Sequence, residues 1–191
     1  MLAFLDIETT GHGDETGIEN ESILEVSAII TDTDLEIVDS TTVLVKPVGN
    51  PLPGFDFTKM DPVVVAMHTV NGLFDEILAN GLRRCEAEEA LISVLKPYTE
   101  GGGKLIPVGN SVGVFDMAFI KCHMPKLAKL FDRRSIDLSS LNQLALKYNP
   151  EVFENRPKAN GRHRSYDDCL AAIQLLNYYR DNRLFPEPQY D

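Results

Sequence analysis

Three β-strand candidates follow one another at the start of the chain, before any helical pattern appears. Residues 1–6 form a short apolar run that ends in a carboxylate, and two β-branched runs, 23–31 and 35–46, flank the turn Asp32-Thr33-Asp34. Two such runs around a short polar turn are typical of a hairpin. Further along, one more strand candidate, 105–108, lies between segments with helical spacing. This order predicts an antiparallel half joined to a parallel half of one mixed sheet.

The helical segments show apolar residues at intervals of three and four positions. They cover residues 69–80, 87–98, 115–123, 138–148 and 165–182, of which the last is the clearest. Segments that are polar or rich in Gly and Pro, at 10–20, 47–60 and 155–164, are predicted loops, and 134–136 is ambiguous. The chain has 191 residues, of which 43% are apolar and 25% charged. This suits one α/β domain over 1–182, with a C-terminal tail over 183–191.

The formal charge of the chain is −11, from 29 acidic and 18 basic side chains. Proteins that grip long nucleic acid without sequence preference neutralise many phosphates with Lys and Arg, and this chain has no evident basic block. If it acts on nucleic acid, it contacts few phosphates, uses metal ions for them, or relies on a partner. On charge alone, ordinary solubility chemistry is the preferred explanation.

The apolar runs and the cysteines bear on the cellular compartment of the protein. No apolar run reaches about 18 residues, so no membrane span is expected, and the start of the sequence lacks the pattern of a secretory signal. Cys85, Cys122 and Cys169 lie far apart without paired spacing. This spacing fits free thiols in a reducing compartment, so we expect a cytoplasmic protein.

Asp6 and Glu8 form the first of three acidic motifs, at the end of the opening strand. Residues two apart in a strand point to the same face, so both carboxylates project together. Hard divalent cations such as Mg²⁺ and Mn²⁺ take oxygen ligands of this kind. An acidic pair where a strand enters a polar loop is also common without any metal, and this motif alone carries little weight.

The second motif, Gly109-Asn110-Ser111 to Phe115-Asp116, follows the strand candidate 105–108. It places Asp116 at the start of a helix, near the carboxyl end of a neighbouring strand, where sites in α/β proteins usually lie. An Asp in a first helical turn also complements the helix dipole without further function. Both explanations fit this motif equally well.

The third motif runs from His163 to Asp168. Ser165 is predicted to be a helix N-cap and to form a capping box with Asp168. Asp168 shares a helix face with Ala172, Leu175 and Tyr179, so it lies at the rim of a packed surface. His163 precedes the helix in a loop. A lone loop histidine is usually a surface residue, but one beside three acidic motifs is a candidate general base.

The order of these motifs identifies a family resemblance. FLDIETTG (4–11), VGNSVGVFDMAFI (108–120) and HRSYDDCLAAI (163–173) resemble the three motifs of the DEDDh 3′→5′ exonucleases. MHTVNGL (67–73), CHMPKL (122–127) and IDLSSLNQLALKYNPEV (136–152) are more similar to the oligoribonucleases than to proofreading subunits. The resemblance covers about residues 2–181.

The resemblance implies a ribonuclease H-like fold with a five-stranded mixed sheet flanked by helices. It implies a homodimer and two divalent cations, Mg²⁺ or Mn²⁺. It also implies removal of nucleoside 5′-monophosphates from the 3′ end of short single-stranded RNA or DNA. Carried over by motif, His163 is the general base and the metal ligands are Asp6, Glu8, Asp116 and Asp168. Four carboxylates and two divalent cations form a locally neutral site that accepts an anionic substrate.

The resemblance also suggests substrate-binding residues. His68 and Ser111, with Asn110 beside it, fall where oligoribonucleases contact a terminal phosphate of the substrate. His68 is expected to open the helix at Thr69, where amide dipoles favour an anion. His12 stands where the family usually has an apolar Leu wedge. Arg133 aligns with a tyrosine that oligoribonucleases lend from the partner protomer, and its charge suits a phosphate.

Three alternative functions remain at this stage. The middle motif has one extra residue, and its Phe115-Asp116 pair resembles proofreading exonucleases, which favours a general single-strand DNA or RNA exonuclease. A non-catalytic binding module of the same fold ranks low, because all five expected catalytic residues are present. A metallophosphatase, or another hydrolase with chance motifs, does not explain three motifs in this order.

Overall fold

A computed structural model describes residues 1–47, 56–159, 161–182 and 184 of the chain. Its centre is a five-stranded sheet with the order β3-β2-β1-β4-β5. The strands are β1 (Leu2–Thr9), β2 (Ile23–Thr31), β3 (Ile37–Leu44), β4 (Ile106–Gly109) and β5 (Ile136–Asp137). β1, β2 and β3 are antiparallel, whereas β4 and β5 run parallel to β1. The predicted mixed sheet is therefore confirmed.

Eight α-helices accompany the sheet within the described residues. They are α1 (Pro62–Val70), α2 (Leu73–Asn80), α3 (Arg84–Leu95), α4 (Asp116–His123), α5 (Pro125–Ala128), α6 (Leu138–Tyr148), α7 (Pro150–Glu154) and α8 (Ser165–Asp181). Among the described residues, no helix combines the length and the apolar character needed to cross a bilayer.

The two faces of β1 bury different partners because its side chains alternate. Ala3, Leu5 and Ile7 point into a core shared with α3, α4 and α5. Phe4 points the other way, into a second core formed with α6 and α8. Asp6 and Glu8 have the same parity as Phe4, so β1 directs both carboxylates to the face that α8 covers.

The predicted helix over 69–80 is wrong at its beginning. Asp61 caps α1 by accepting the Val63 N–H over 2.7 Å, and Pro62 occupies the first helical position, which it suits because its φ is already helical. α1 ends at Val70, and Gly72, with φ 78°, starts α2 from a left-handed conformation. One predicted helix is therefore two, and the first begins just past the predicted loop 47–60.

Other predicted boundaries differ less from the structure. The segment 35–46 shortens to β3, because Leu35 has a positive φ of 67° and belongs to the hairpin turn. The helix predicted at 87–98 is α3, which begins at Arg84 and ends at Leu95. The ambiguous segment 134–136 leads into β5. Of the predicted loop 47–60, residues 48–55 lie outside the described residues, as does the predicted tail 183–191 apart from Leu184.

Candidate active site

Three of the predicted metal ligands meet on the face of β1 that packs against α8. Asp6 and Glu8 come from β1 and Asp168 comes from the first turn of α8, and one carboxylate oxygen from each lies within 4.8 Å of the other two. α8 packs on this face through its buried residues, among them Cys169, whose thiol donates to the Phe4 carbonyl oxygen over 3.4 Å. We call these three residues the acidic cluster.

Asp116, the fourth predicted ligand, begins α4 and is buried. Its Oδ1 accepts the backbone N–H of Ile7 over 3.0 Å, so the side chain lies against the strand segment between Asp6 and Glu8. The parallel pairing of β1 with β4 reaches only Phe4 and Val108. Beyond that point the Asp116 carboxylate, and not a neighbouring strand, accepts the hydrogen bond of the Ile7 N–H. This brings the carboxylate beside the acidic cluster.

Burial and mutual repulsion make the charged state of this site unfavourable without a cation. Burial, followed by the neighbouring carboxylates, raises the pKa of Asp6 well above its ordinary value and that of Glu8 to about 8. Burial raises the pKa of Asp116 to about 7, and the Ile7 N–H partly opposes the rise. Acidic oxygens at this spacing form the donor set that hard divalent cations take. The residues therefore fit the metal site that the resemblance implies.

His163 lies in the loop before α8, exposed, with a left-handed φ of 51°. Burial raises the pKa of the Asp168 carboxyl, and the nearby His163 opposes that rise, so the imidazole is within electrostatic reach of the acidic cluster. His163 also lines a cavity of about 830 Å³ together with Tyr166 and Arg164. Glu25 and Asp167 line the same cavity, whereas no residue of the acidic cluster is among its described lining residues.

The expectation that His68 opens a helix is wrong. His68 is in the last turn of α1, where the helix dipole disfavours an anion, and it is fully buried. Its Nε2 lies 3.4 Å from Glu8 Oε2 without hydrogen-bond geometry. Burial lowers the pKa of His68 to about 4, so the ring is neutral. The structure therefore brings His68 to the acidic cluster, but as a buried side chain and not as an exposed one.

The expectation that Ser165 caps α8 is also wrong. Arg164 is the N-cap residue, and Ser165 is the first residue inside the helix. The Ser165 hydroxyl instead donates to Glu25 over 2.9 Å and lies 2.7 Å from the Ser27 hydroxyl. Tertiary partners on β2 have taken the place of the capping box with Asp168.

Ser111 and Asn110 occupy the turn after β4. Ser111 has a φ of 54°, and its backbone N–H donates to Asp137 Oδ1 and Ser139 Oγ over 3.2 and 3.1 Å. Asn110 is exposed and lines a pocket of about 210 Å³ with Arg156. The turn is therefore fixed to the start of α6, with an exposed amide at its tip.

His12 and Arg133 are both exposed but differ in their surroundings. The His12 ring centroid lies 5.6 Å from that of Phe115, the residue before Asp116. Arg133 precedes β5 and acts on Asp132, whose pKa is lowered to about 2, mainly by Arg134. Within the described part of the chain, Arg133 forms no hydrogen bond or ion pair with the acidic cluster. The structure therefore brings His12 near the site and leaves Arg133 apart.

Glu25, Arg164 and Asn71 border the site and were missed in the sequence. Glu25, the third residue of β2, is 1% exposed and lies opposite Glu8 in the strand register. Arg164 forms an ion pair with it over 2.7 Å. An acidic residue inside the largely apolar run 23–31 was the available signal, because a buried charge requires a partner.

Comparison with known proteins assigns the chain to a class of enzymes. A family model described as exonuclease (RNase_T) matches residues 3–176, and the chain belongs to this exonuclease family. The predicted type of enzyme, an exonuclease, is confirmed.

Curated relatives narrow the similarity within that class. The chain is 33% identical over 188 residues to the oligoribonuclease of Corynebacterium diphtheriae, covering 98% of this chain and 85% of the relative. It is 35% identical to that of Tropheryma whipplei, covering 96% and 93%, and 36% identical to that of Mannheimia succiniciproducens, covering 95% and 91%. The predicted resemblance to oligoribonucleases is therefore confirmed.

Solved structures confirm the fold. The zinc-bound form of E. coli exonuclease I in complex with single-stranded DNA superposes with a TM-score of 0.69 at 16% identity, over 97% of this chain. Exonuclease I from Methylocaldum szegediense gives 0.66 at 18% identity, over 95% of this chain. The chain spans only 42% and 40% of these two proteins. The shared part is the predicted ribonuclease H-like fold.

Proposed function

We propose that the protein is a metal-dependent 3′→5′ exonuclease that releases nucleoside 5′-monophosphates from short single-stranded oligonucleotides, principally oligoribonucleotides. The observation that carries the proposal is the approach of Asp6, Glu8 and Asp168 to within 4.8 Å of one another, with Asp116 bonded to the strand between the first two. Similarity to oligoribonucleases over nearly the whole chain supports the choice of substrate.

Asp6, Glu8, Asp116 and Asp168 would hold two divalent cations, Mg²⁺ or Mn²⁺. When bound, the ions supply activation of a water molecule and neutralise the charge that develops on the scissile phosphate. The protein's own contribution is to hold four oxygen donors on rigid elements, β1, α4 and α8. The backbone N–H of Ile7 occupies one Asp116 oxygen, which fixes the direction in which the other oxygen points.

His163 is the residue that would accept the proton of the attacking water at an imidazole nitrogen. Its exposed position in the loop before α8 leaves the ring accessible to water and substrate. After hydrolysis the proton passes from the exposed ring to solvent.

Few substrate contacts are proposed, which fits short substrates. The family resemblance supplies the candidates His12, His68, Asn110, Ser111 and Arg133, of which His68 lies 3.4 Å from Glu8. A protein with a net charge of −11 gains little from a long polyanion, because each further phosphate brings repulsion instead of counterion release. Binding energy therefore comes from the terminal nucleotides.

We also propose a homodimer in a reducing cytoplasm. The dimer is supported by the resemblance to oligoribonucleases, and light scattering of the purified protein tests it. The location is supported by Cys85, Cys122 and Cys169, which are all free thiols, two of them exposed and so easily oxidised outside a reducing compartment.

A length series tests the function. Time courses on 5′-labelled RNA and DNA of two to twenty nucleotides are expected to show loss of single 3′ nucleotides with Mg²⁺ or Mn²⁺, none with EDTA, and rates that fall steeply with length. Digestion of 20-mers as fast as dimers would refute the preference for short substrates. Unchanged activity of Asp116→Ala would refute the site.

A general single-strand DNA or RNA exonuclease is the second candidate. It is favoured by the Phe115-Asp116 pair and by the extra residue before it in the middle motif. The same length series separates the two candidates, because this enzyme would show weak sugar discrimination and tolerate long 3′ tails.

A further inference from the structure

Arg164, the residue after His163, joins three elements of the fold. Its Nε and Nη2 donate to Glu25 Oε1 on β2 over 3.2 and 2.7 Å. Its Nη1 and Nη2 donate to Glu76 on α2 over 2.9 and 2.8 Å. The planar guanidinium fork binds both carboxylates at once, a geometry that Lys does not reproduce.

The two ion pairs of Arg164 differ in burial: the inner half of the arrangement, the pair with Glu25, is buried, and the outer half, the pair with Glu76, is exposed. Glu25 is 1% exposed and also accepts the backbone N–H and hydroxyl of Ser165 over 2.8 and 2.9 Å. The Glu76 side chain is 48% exposed. Glu25 therefore anchors the start of α8 to the sheet, whereas Glu76 adds a second attachment to α2.

Asn71, in the turn between α1 and α2, holds the same loop from the other side. Its Nδ2 donates to the carbonyl oxygen of His163 over 2.7 Å and to that of Arg162 over 3.1 Å. It also lies 3.2 Å from Nδ1 of the buried His68. Asn71 thus connects the His163 loop to the residue that touches Glu8.

His163 itself is in an unfavourable backbone conformation. A φ of 51° places a non-glycine residue in the left-handed region, where its Cβ is crowded. Such conformations persist when the surrounding contacts over-determine them, and they concentrate at functional sites. His163 is held on both sides by such contacts. Asn71 donates to its carbonyl oxygen, and the neighbouring Arg164 forms hydrogen bonds with two elements of the fold.

We propose that Arg164, Glu76 and Asn71 are positioning residues that hold the His163 imidazole at the acidic cluster. Because His163 acts as proton acceptor only in the proposed function, the inference rests on that function. Their proposed role is to act through His163 and not by contact with the substrate. They set the fraction of molecules in which the imidazole is aligned for proton transfer, so their loss lowers kcat and leaves KM unchanged.

Glu76→Gln is the principal test, because it weakens the outer half of the arrangement without exposing the buried Glu25. We expect kcat to fall about tenfold with KM unchanged, since misalignment of a catalytic group costs up to about a hundredfold. Asp75→Asn is the matched control: it removes the same charge from the neighbouring exposed position of α2 and is expected to behave as wild type. Equal kcat values for the two variants would overturn the proposal.

A double-mutant cycle separates positioning from general damage. Glu76→Gln is expected to cost about tenfold in the wild-type background and almost nothing in His163→Ala, because the two changes remove the same step. An equal cost in both backgrounds would show that Glu76 does not act through His163. Asn71→Ala provides a second, independent variant with the same expected pattern.

A measurement without metal or substrate completes the test. Hydrogen exchange of the peptide that contains Arg164 and Ser165 is expected to be faster in Glu76→Gln than in Asp75→Asn, with EDTA present. Equal exchange rates would overturn the proposed attachment. If the wild-type protein lacks exonuclease activity altogether, the proposed function fails; if it is active and only the Glu76 effect is missing, the function stands and the positioning role fails.

Discussion

Asp116 Oδ1 accepts the backbone N–H of Ile7 over 3.0 Å, across 109 positions of the sequence. This bond joins the helix that supplies one carboxylate to the strand that supplies two others, at the level where β1 extends past β4. One interaction therefore completes the hydrogen bonding of a buried strand and fixes a predicted metal ligand.

Asp116→Asn separates charge from hydrogen bonding. The amide oxygen still accepts the Ile7 N–H, so the variant is expected to fold. Loss of the anionic metal ligand is expected to lower activity by more than about a hundredfold, because loss of a residue that only hydrogen-bonds to a metal ligand already costs up to about that much. Initial rates on a dinucleotide and thermal unfolding with EDTA measure both effects. Asp34→Asn, an exposed substitution of the same kind, should leave both unchanged; full activity of Asp116→Asn would remove this residue from the metal site.

The site makes stability depend on pH with opposite signs in the absence and presence of metal. A carboxyl whose pKa is raised by folding binds protons more tightly in the folded state, so its contribution is fully present below the unfolded pKa. For Glu8 this contribution is fully present below about pH 4.5 and is lost as the pH rises through about 8. For Asp116 it is fully present below about pH 3.8 and is lost as the pH rises through about 7. In EDTA, the melting temperature is therefore expected to fall over this range.

Divalent cations reverse the trend, because they bind the ionised carboxylates. Mn²⁺ at about a hundred times its Kd is expected to raise the melting temperature by about 5–10 °C at pH near 8 and by much less at pH near 5. Calorimetry at several pH values tests this expectation. Glu8→Gln should flatten the metal-free profile and Glu154→Gln should not. A metal effect that is independent of pH would contradict the assignment.

Gly109 at the end of β4 is expected to tolerate no side chain. A Cβ there would lie 2.7 Å from the Leu5 carbonyl oxygen and 3.2 Å from Val112 Cβ, so Gly109→Ala must push β4 away from β1. We expect a loss of about 1–3 kcal/mol in unfolding free energy by urea titration, with reduced activity. At Gly103, a Cβ would meet nothing within 4 Å, and Gly103→Ala serves as the control. A neutral Gly109→Ala would show that the two strands separate easily.

His12 is expected to bind a terminal base by stacking. Its exposed ring is packed against Phe115 at 5.6 Å, and loss of a stacking ring costs about 1–3 kcal/mol per base. His12→Ala should therefore raise KM for dinucleotides about tenfold with kcat largely retained, while His12→Phe preserves the contact. Steady-state kinetics distinguish the outcomes, and an unchanged KM in His12→Ala would place the base elsewhere.

The sheet and the acidic motifs were predictable because their signals are local. β1 and β2 are short apolar runs, and Asp6 and Glu8 share a face through the two-residue period of a strand. Asp168 shares a helix face with Ala172, Leu175 and Tyr179, all of which are buried. In each case the repeat of the backbone determines the direction of the side chain.

The surroundings of the site were not predictable because they depend on distant partners. Ser165 has the sequence context of a cap, yet Glu25, 140 positions away, takes its N–H and hydroxyl. The burial of His68 depends on the packing of α1 against α2, where its ring centroid lies 5.7 Å from that of Phe74. Local propensity contains no information about this contact, whereas the helix break at Asn71-Gly72 had a local signal in the Asn-Gly pair.

The acidic cluster combines residues from segments near both ends of the sequence. Catalytic activity therefore reports whether the chain has folded completely. Asp6 and Asp168 meet only after α8 has docked on β1, one of the longest loop closures in the chain and therefore costly in entropy. A chain that has formed its hairpin but has not docked α8 lacks the three-oxygen cluster. Recovery of hydrolysis after refolding will therefore count fully assembled molecules and ignore collapsed ones that already contain native helix and sheet.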